Sequence, residues 1–287
     1  MVNKSNVLLG VALLCIGLVI VPVNDALAKY LSSDLKISEI IWARFFGHFV
    51  LLVPLAYYLK GRIGFFNSST KHQLTRGLFI FLGTAFFYVS ITKIPLPNAL
   101  SLLLVAPIIV VILSVYILKE RITLLKIICA LIGFAGTLLV IQPGFADFNS
   151  YSVYALVSGL FYAMYLIYTR KVNFSSDSIV SLSYSTIPGA IIMTLLIPFF
   201  WESIPSLNQI MIMGCIGPVV IISHFFFIKA YQYAEASVLA PIHYFEIVSN
   251  VLISIIFFND IPTIAVSIGI MCIISSGVLI SLNQKNT

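Results

Sequence analysis

A carboxylate, an imidazole and a carboxamide recur at helical spacing in the stretch 234–260, AEASVLAPIHYFEIVSNVLISIIFFND. Glu246 lies three residues after His243 and four before Asn250, which puts all three on one face of a helix. The residues around them are apolar and numerous enough to cross a bilayer. An ionised carboxylate near the bilayer centre costs about 2.5–3.5 kcal/mol on insertion scales. It is tolerated there if it faces a polar cavity, finds a partner or takes up a proton. A carboxylate and an imidazole on one face can bind a cationic or zwitterionic solute, or exchange a proton with it. Glu246 is therefore the first candidate for solute binding. A polar clamp between helices is the competing reading. Tyr244, on the same segment, points toward the helix edge.

Other polar groups sit in apolar surroundings. Asp25, beside Asn24, lies toward the outer half of the first apolar run, with Lys29 one turn further on. Either it pairs with Lys29 at the interface, or it is a pathway carboxylate facing Arg44. The Arg44 guanidinium stays charged and must face a partner or a cavity. It can grip a carboxylate or phosphate through two parallel bonds, or close a salt bridge to Asp25 or Glu246. His224 and His48 are each read as an interhelical hydrogen bond or as a proton-coupled group. Tyr88, Tyr162, Tyr165 and Tyr184, with Trp42, offer aromatic faces to a flat base or a cation. Each of them can equally pack against lipid or a neighbour.

The elements that must position these groups follow from composition. The 287 residues are 60% hydrophobic and 9% charged, with mean hydropathy +1.09. A soluble domain carries about 25% charged residues, so the chain reads as an all-α integral membrane protein. Ten apolar segments lie near 7–30, 37–59, 73–93, 96–118, 122–142, 152–171, 178–200, 207–233, 236–258 and 262–283. With the N-terminus cytoplasmic, twelve Lys and Arg, Arg76 and Arg170 among them, fall on the cytoplasmic side. Three (Lys29, Lys36, Lys93) fall on the other, and this asymmetry puts both termini in the cytoplasm. The segments divide into two fives, 1–145 and 146–287. A shift of 140 residues lays 90–101 over 230–241 and Glu120 over Asp260. Because five is odd, the second half enters the membrane upside down, giving two inverted five-helix repeats. Glu120 and Asp260 are read as end-of-helix anchors that serve the fold.

Several function classes are disfavoured. The net charge of +6 is dispersed among membrane segments, so no nucleic-acid partner is expected. Cys15, Cys129, Cys215 and Cys272 lie inside apolar runs without metal-ligand spacing, so neither metal nor cofactor is expected. No HExxH or GxSxG motif supports an intramembrane enzyme, and no charge ring or filter motif supports a channel. A small-molecule solute and the lipid bilayer are the expected partners. Proton coupling and exchange both stay open, as do monomer and homodimer.

Three motifs occur in order along the chain: ITKIPLPNALSLLLVAP (91–107), ILKERIT (117–123) and GFAGTLLVIQPG (133–144). With Pro107 inside the fourth segment and Glu120 closing it, they resemble the EamA-type members of the drug/metabolite transporter superfamily over nearly the whole chain. VNDALAKYL (23–31), ARFF (43–46) and LAPIHYFEIVSNVLISIIFFNDIPT (239–263) look like one branch of it. That branch contains the S-adenosylmethionine uptake carriers and the solute-carrier-35 group G proteins. The resemblance implies an alternating-access secondary transporter of a small polar or zwitterionic metabolite, in a bacterial inner membrane and without enzymatic activity. Asn24, Asp25, Arg44 and Glu246 occupy the branch's polar positions. Where the adenosylmethionine carriers have an arginine after the ninth-segment proline, this chain has His243. Transport of amino acids or nucleoside-like metabolites, export included, is the alternative within the family.

Overall fold

The computed structural model describes residues 4–66, 69–142, 150–172, 177–202, 204–258 and 262–283. Every regular element among them is helical. The first half comprises α1 (Lys4–Leu31), α2 (Ile37–Phe65), α3 (Thr70–Ile91), α4 (Leu96–Leu103), α5 (Ala106–Leu113) and α6 (Leu124–Ile141). The second comprises α7 (Ser150–Val172), α8 (Ser178–Leu196), α9 (Leu207–Tyr233), α10 (Ala236–Leu239), α11 (Phe245–Phe258) and α12 (Ile264–Leu282). Nine helical runs among the described residues are long and apolar enough to cross a membrane.

The segment 236–258 is not the continuous helix expected. It is split into α10, a 3-10 turn over Ala240–Tyr244, and α11. Pro241 sits at the split. It has no amide hydrogen to give the preceding turn, and its ring crowds the carbonyl four residues back. The fourth segment is also broken. α4 stops at Leu103, and α5 restarts with Pro107 in its first turn, where a missing N–H costs nothing. α5 then widens into a π turn, Ser114–Leu118, which Lys119 ends at φ 57°. The α4–α5 break lies against Gly159 of α7, where a Cβ would stand 2.8 Å from the Leu103 carbonyl oxygen.

α2 bends at Gly61, whose φ 63°, ψ −179° is open essentially to glycine alone. Beyond the bend Phe65 packs with Ala56, Val180 and Tyr184. Asp177 caps α8 by accepting from the Ile179 amide (2.9 Å) and pairs with Lys60 at 2.8 Å. Partial burial pushes the Asp177 carboxyl up, but the Lys60 hydrogen bond and the Ile179 amide outweigh it and hold it below the usual range. Its contribution to stability is thus present at neutral pH and fades as pH falls through that lowered value.

The bundle packs by pairs: α1 on α9, α3 on α7, α2 on α8 and α6 on α12, with α3 also on α8 and α2 on α9. In lipid, association rests on close van der Waals contact between small residues. Gly136 of α6 and Gly269 of α12 are the clearest case. A Cβ on Gly136 would lie 2.7 Å from the Gly269 carbonyl oxygen, and one on Gly269 would lie 2.6 Å from that of Gly136. Gly136→Val should therefore force two backbones apart and cost about 1–3 kcal/mol, read as a lowered melting temperature of the purified protein. Gly214→Ala meets nothing within 4 Å and should leave it unchanged or slightly raised. Asp260, Pro143 and Gly144, which carried sequence expectations, lie outside the described residues.

Candidate solute-binding site

A pocket enclosing about 590 Å³ of space not filled by atoms, open solvent included, lies among α1, α2, α3, α4, α7, α9 and α11. It sits toward the end of the bundle that carries the α1–α2 and α3–α4 turns. Asn24, Asp25, Arg44, Tyr88, Tyr162, His224 and Glu246 all line it, so residues from six helices converge there. Leu100 and Leu103 of α4 form an apolar wall opposite Glu246's helix.

Arg44 and Asp25 share the cavity without pairing directly. No ion pair joins them among the described residues, and Asp25 is not paired with Lys29. The Lys29 ammonium donates instead to the Ile91 carbonyl at 2.5 Å. The two charges are linked through neutral groups. Asn24 Nδ2 donates to Asp25 Oδ1 at 3.0 Å and to the Tyr88 hydroxyl oxygen at 3.2 Å, and Arg44 Nη1 donates to the same oxygen at 3.1 Å. Tyr88 thus accepts twice, which leaves its own proton for a further acceptor. Arg44 Nε is buried and has no partner among the described residues. Glu246, 3% exposed, lines the cavity with no hydrogen bond to its carboxylate among the described residues. The cavity thus presents both donors (Arg44, Tyr88) and carboxylates (Asp25, Glu246).

The remaining predicted residues stand elsewhere. His243 is fully buried behind the wall. The Tyr231 hydroxyl is 3.1 Å from its Nε2, and the Tyr162 hydroxyl, whose ring does line the cavity, is 3.4 Å from its Nδ1. Tyr165 is also one layer back, 2.9 Å from His224 Nδ1. Asn250 donates to the Glu246 backbone oxygen (3.0 Å) and lines a neighbouring groove that shares Asp25. Tyr244 faces α6, its ring against Gly133 and Phe134. Tyr184 is stacked on Phe65 and donates to the Phe65 carbonyl at 3.2 Å, far along α8 from the cavity. Trp42 stacks on Phe46 and donates to Thr194. Thr84, Ser158 and Ser223 line the cavity too and were not anticipated as lining. Ser158 also donates to the Gly83 carbonyl at 2.8 Å.

At the opposite end the bundle is latched. Glu120, between the π turn and α6, accepts from the Ala236 and Ser237 amides at 3.0 Å each and from Ser237 Oγ at 2.6 Å. Lys126 donates to Ser237 Oγ (2.9 Å) and pairs with Glu235 at 2.6 Å. Arg170 Nε lies 4.0 Å from Glu120 and its Nη1 donates to the Tyr231 carbonyl at 2.7 Å. The anchor role expected for Glu120 takes this form: it holds the start of α10, a segment of the other half.

A membrane bundle around a charge-lined central cavity, closed at one end by a polar latch, is the architecture of a solute carrier. The EamA-like transporter family model matches residues 8–142 and again 149–282, and the chain belongs to this family. Among its relatives, an S-adenosylmethionine uptake transporter of Rickettsia prowazekii (strain Madrid E) is 27% identical over 97% of this chain and 94% of that protein. The pseudopaline exporter CntI of Pseudomonas aeruginosa (strain UCBPP-PA14) is 26% identical over 98% of each. A protein of solved crystal structure superposes with a TM-score of 0.78 at 18% identity, over 97% of this chain and 98% of its own, and shares the fold.

Proposed function

We propose that this multi-pass membrane protein is an alternating-access carrier of a small zwitterionic metabolite of the S-adenosylmethionine type. It works in a bacterial inner membrane with both termini cytoplasmic, as ten membrane segments in two inverted repeats, 1–145 and 146–287. The observation that carries the substrate class is the coexistence of Arg44 with Asp25 and Glu246 around one cavity without an ion pair between Arg44 and Asp25. A solute with a carboxylate and a cationic centre complements both: its carboxylate on Arg44 Nε and the Tyr88 proton, its cation toward Asp25 and Glu246. The names of the uptake carriers favour adenosylmethionine.

The packing pairs support the repeat. Exchanging α1 with α7, α2 with α8, α3 with α9 and α6 with α12 turns the α1–α9 contact into the α7–α3 contact, and the α3–α8 contact into the α9–α2 contact. The two broken segments, 96–118 and 236–258, exchange as well. Discontinuous helices at corresponding places in two halves are where inverted-repeat carriers bind solute.

Labelled S-adenosylmethionine should accumulate in proteoliposomes holding the chain, and unlabelled solute on the far side should accelerate entry of label. Uptake without that acceleration would indicate a pore. Absence of uptake and of binding would reject the substrate. Export is the second reading, favoured by the exporter's near-equal identity. It is distinguished by efflux from preloaded vesicles under the same gradients.

A further inference from the structure

We propose that Arg76 is a second carboxylate site, on the latched side of the cavity, which receives the solute's carboxylate after it leaves Arg44. This deepens the proposed function and rests on a carboxylate-bearing solute. From the sequence, Arg76 counts with the basic residues near the cytoplasmic side. The structure places it inside the bundle, 0% exposed, one helical turn below Ile80, which lines the cavity.

Its charge is not compensated. No carboxylate lies within ion-pair distance of it among the described residues. Only Nη2 is engaged, donating to the Ser181 carbonyl and to Ser185 Oγ (2.9 Å) of α8. Nε and Nη1 are buried without partners. Those two donors flank Nη2, Nε on the side-on edge and Nη1 on the end-on edge, so each offers an incoming carboxylate one free charge-assisted hydrogen bond. One turn below, Gln73 donates to Ser181 Oγ at 2.7 Å, and its Oε1 is also left without a partner. That is an acceptor suited to an ammonium next to the carboxylate. A buried guanidinium without an anion is costly unless an anion visits it.

The surroundings connect it to the cavity. The Arg76 Cζ lies 5.8 Å from the Tyr165 ring centre, and Tyr165 contacts His224, which lines the cavity. Arg44 near one mouth and Arg76 toward the other give the carboxylate two stations along a single path. Release of the latch would open the second.

The test uses the full-length chain in proteoliposomes with two labelled probes. One is S-adenosylmethionine. The other is its decarboxylated form, which keeps the sulfonium, amine and base. Arg76→Gln should lower uptake of the first by about tenfold or more, and leave the second within about twofold of wild type. Equilibrium binding of S-adenosylmethionine to the cavity should stay within about twofold, because Arg44 is intact. Arg76→Lys should restore part of the uptake, since it returns the charge without the forked geometry. Equal loss of both probes, as a merely structural clamp to α8 would give, overturns the inference, and so does no loss at all. If wild type transports neither probe, the proposed function fails separately. Arg76 is then judged by melting the purified Arg44→Gln protein in sodium acetate at constant ionic strength. A saturable rise that Arg76→Gln abolishes upholds the anion site, and a flat response overturns it.

Discussion

Arg44→Gln should lower kcat/KM for S-adenosylmethionine uptake by about 100-fold or more. Truncating one partner of a buried, charge-assisted contact costs about 2–5 kcal/mol, and each 1.4 kcal/mol is a factor of ten. Arg44 offers the solute carboxylate its unpartnered Nε, beside a Tyr88 hydroxyl that already accepts from Asn24 and from Arg44 itself. Lysine in its place should rescue little, because a point charge cannot supply the second parallel bond. A different role would produce the same single-mutant loss: Arg44 could serve only to neutralise Asp25. The double variant Arg44→Gln with Asp25→Asn separates the two. If Arg44 binds solute, the double variant stays inactive. If it merely balances Asp25, the double variant transports as well as Asp25→Asn alone, which has lost only the contact to the solute's cation. The decarboxylated probe gives an independent reading, since its uptake should fall far less than that of the parent in Arg44→Gln. Equal losses for both probes would count against the carboxylate assignment.

How much of this site was legible beforehand depended on cost. Asp25, Arg44 and Glu246 stood out because charge in lipid requires a reason, and all three do line one cavity. The aromatics carry no such signal. Tyr88 and Tyr184 are both tyrosines inside long apolar helices, yet one lines the cavity and the other packs on Phe65. In a soluble helix the polar stripe would tell the faces apart. Here lipid-facing and core-facing residues are equally apolar, so the period says little. His243 shares a face with Glu246 by spacing. What holds it behind the wall is Tyr162 and Tyr231, from two other helices, and no local pattern announces them. A proline such as Pro241 bends a helix, but nothing in the residues around it distinguishes a bend from the full interruption observed. Arg76 shows the reverse error. Counting basic residues near helix ends fixes which side they favour without asking which face they occupy.

Glu120→Ala should shift the carrier toward the state open at the latched end. Glu120 accepts three hydrogen bonds at the start of α10, two from backbone amides that have no intrahelical partner. A carboxylate there also meets the positive end of the short helix. Hydrogen bonds to a charged group contribute about 1.5–3 kcal/mol each. Even if most of that is recovered from water on opening, the ratio of closed to open should fall by about 100-fold, which takes about 3 kcal/mol. Lys126 would then lose its ordered partner Ser237, while its pairing with Glu235, half-exposed, would add little. The readout is labelling of a single cysteine introduced at Ser223, which lines the cavity, by a membrane-impermeant maleimide. In a background lacking the four native cysteines, labelling from the latched side should rise at least about tenfold in Glu120→Ala. Labelling from the other side should fall. If Glu120 only supports the fold, melting temperature drops and labelling rises from both sides alike. If it holds the closed state, the change is one-sided, and Glu120→Gln, which keeps an acceptor but not the charge, falls between wild type and alanine.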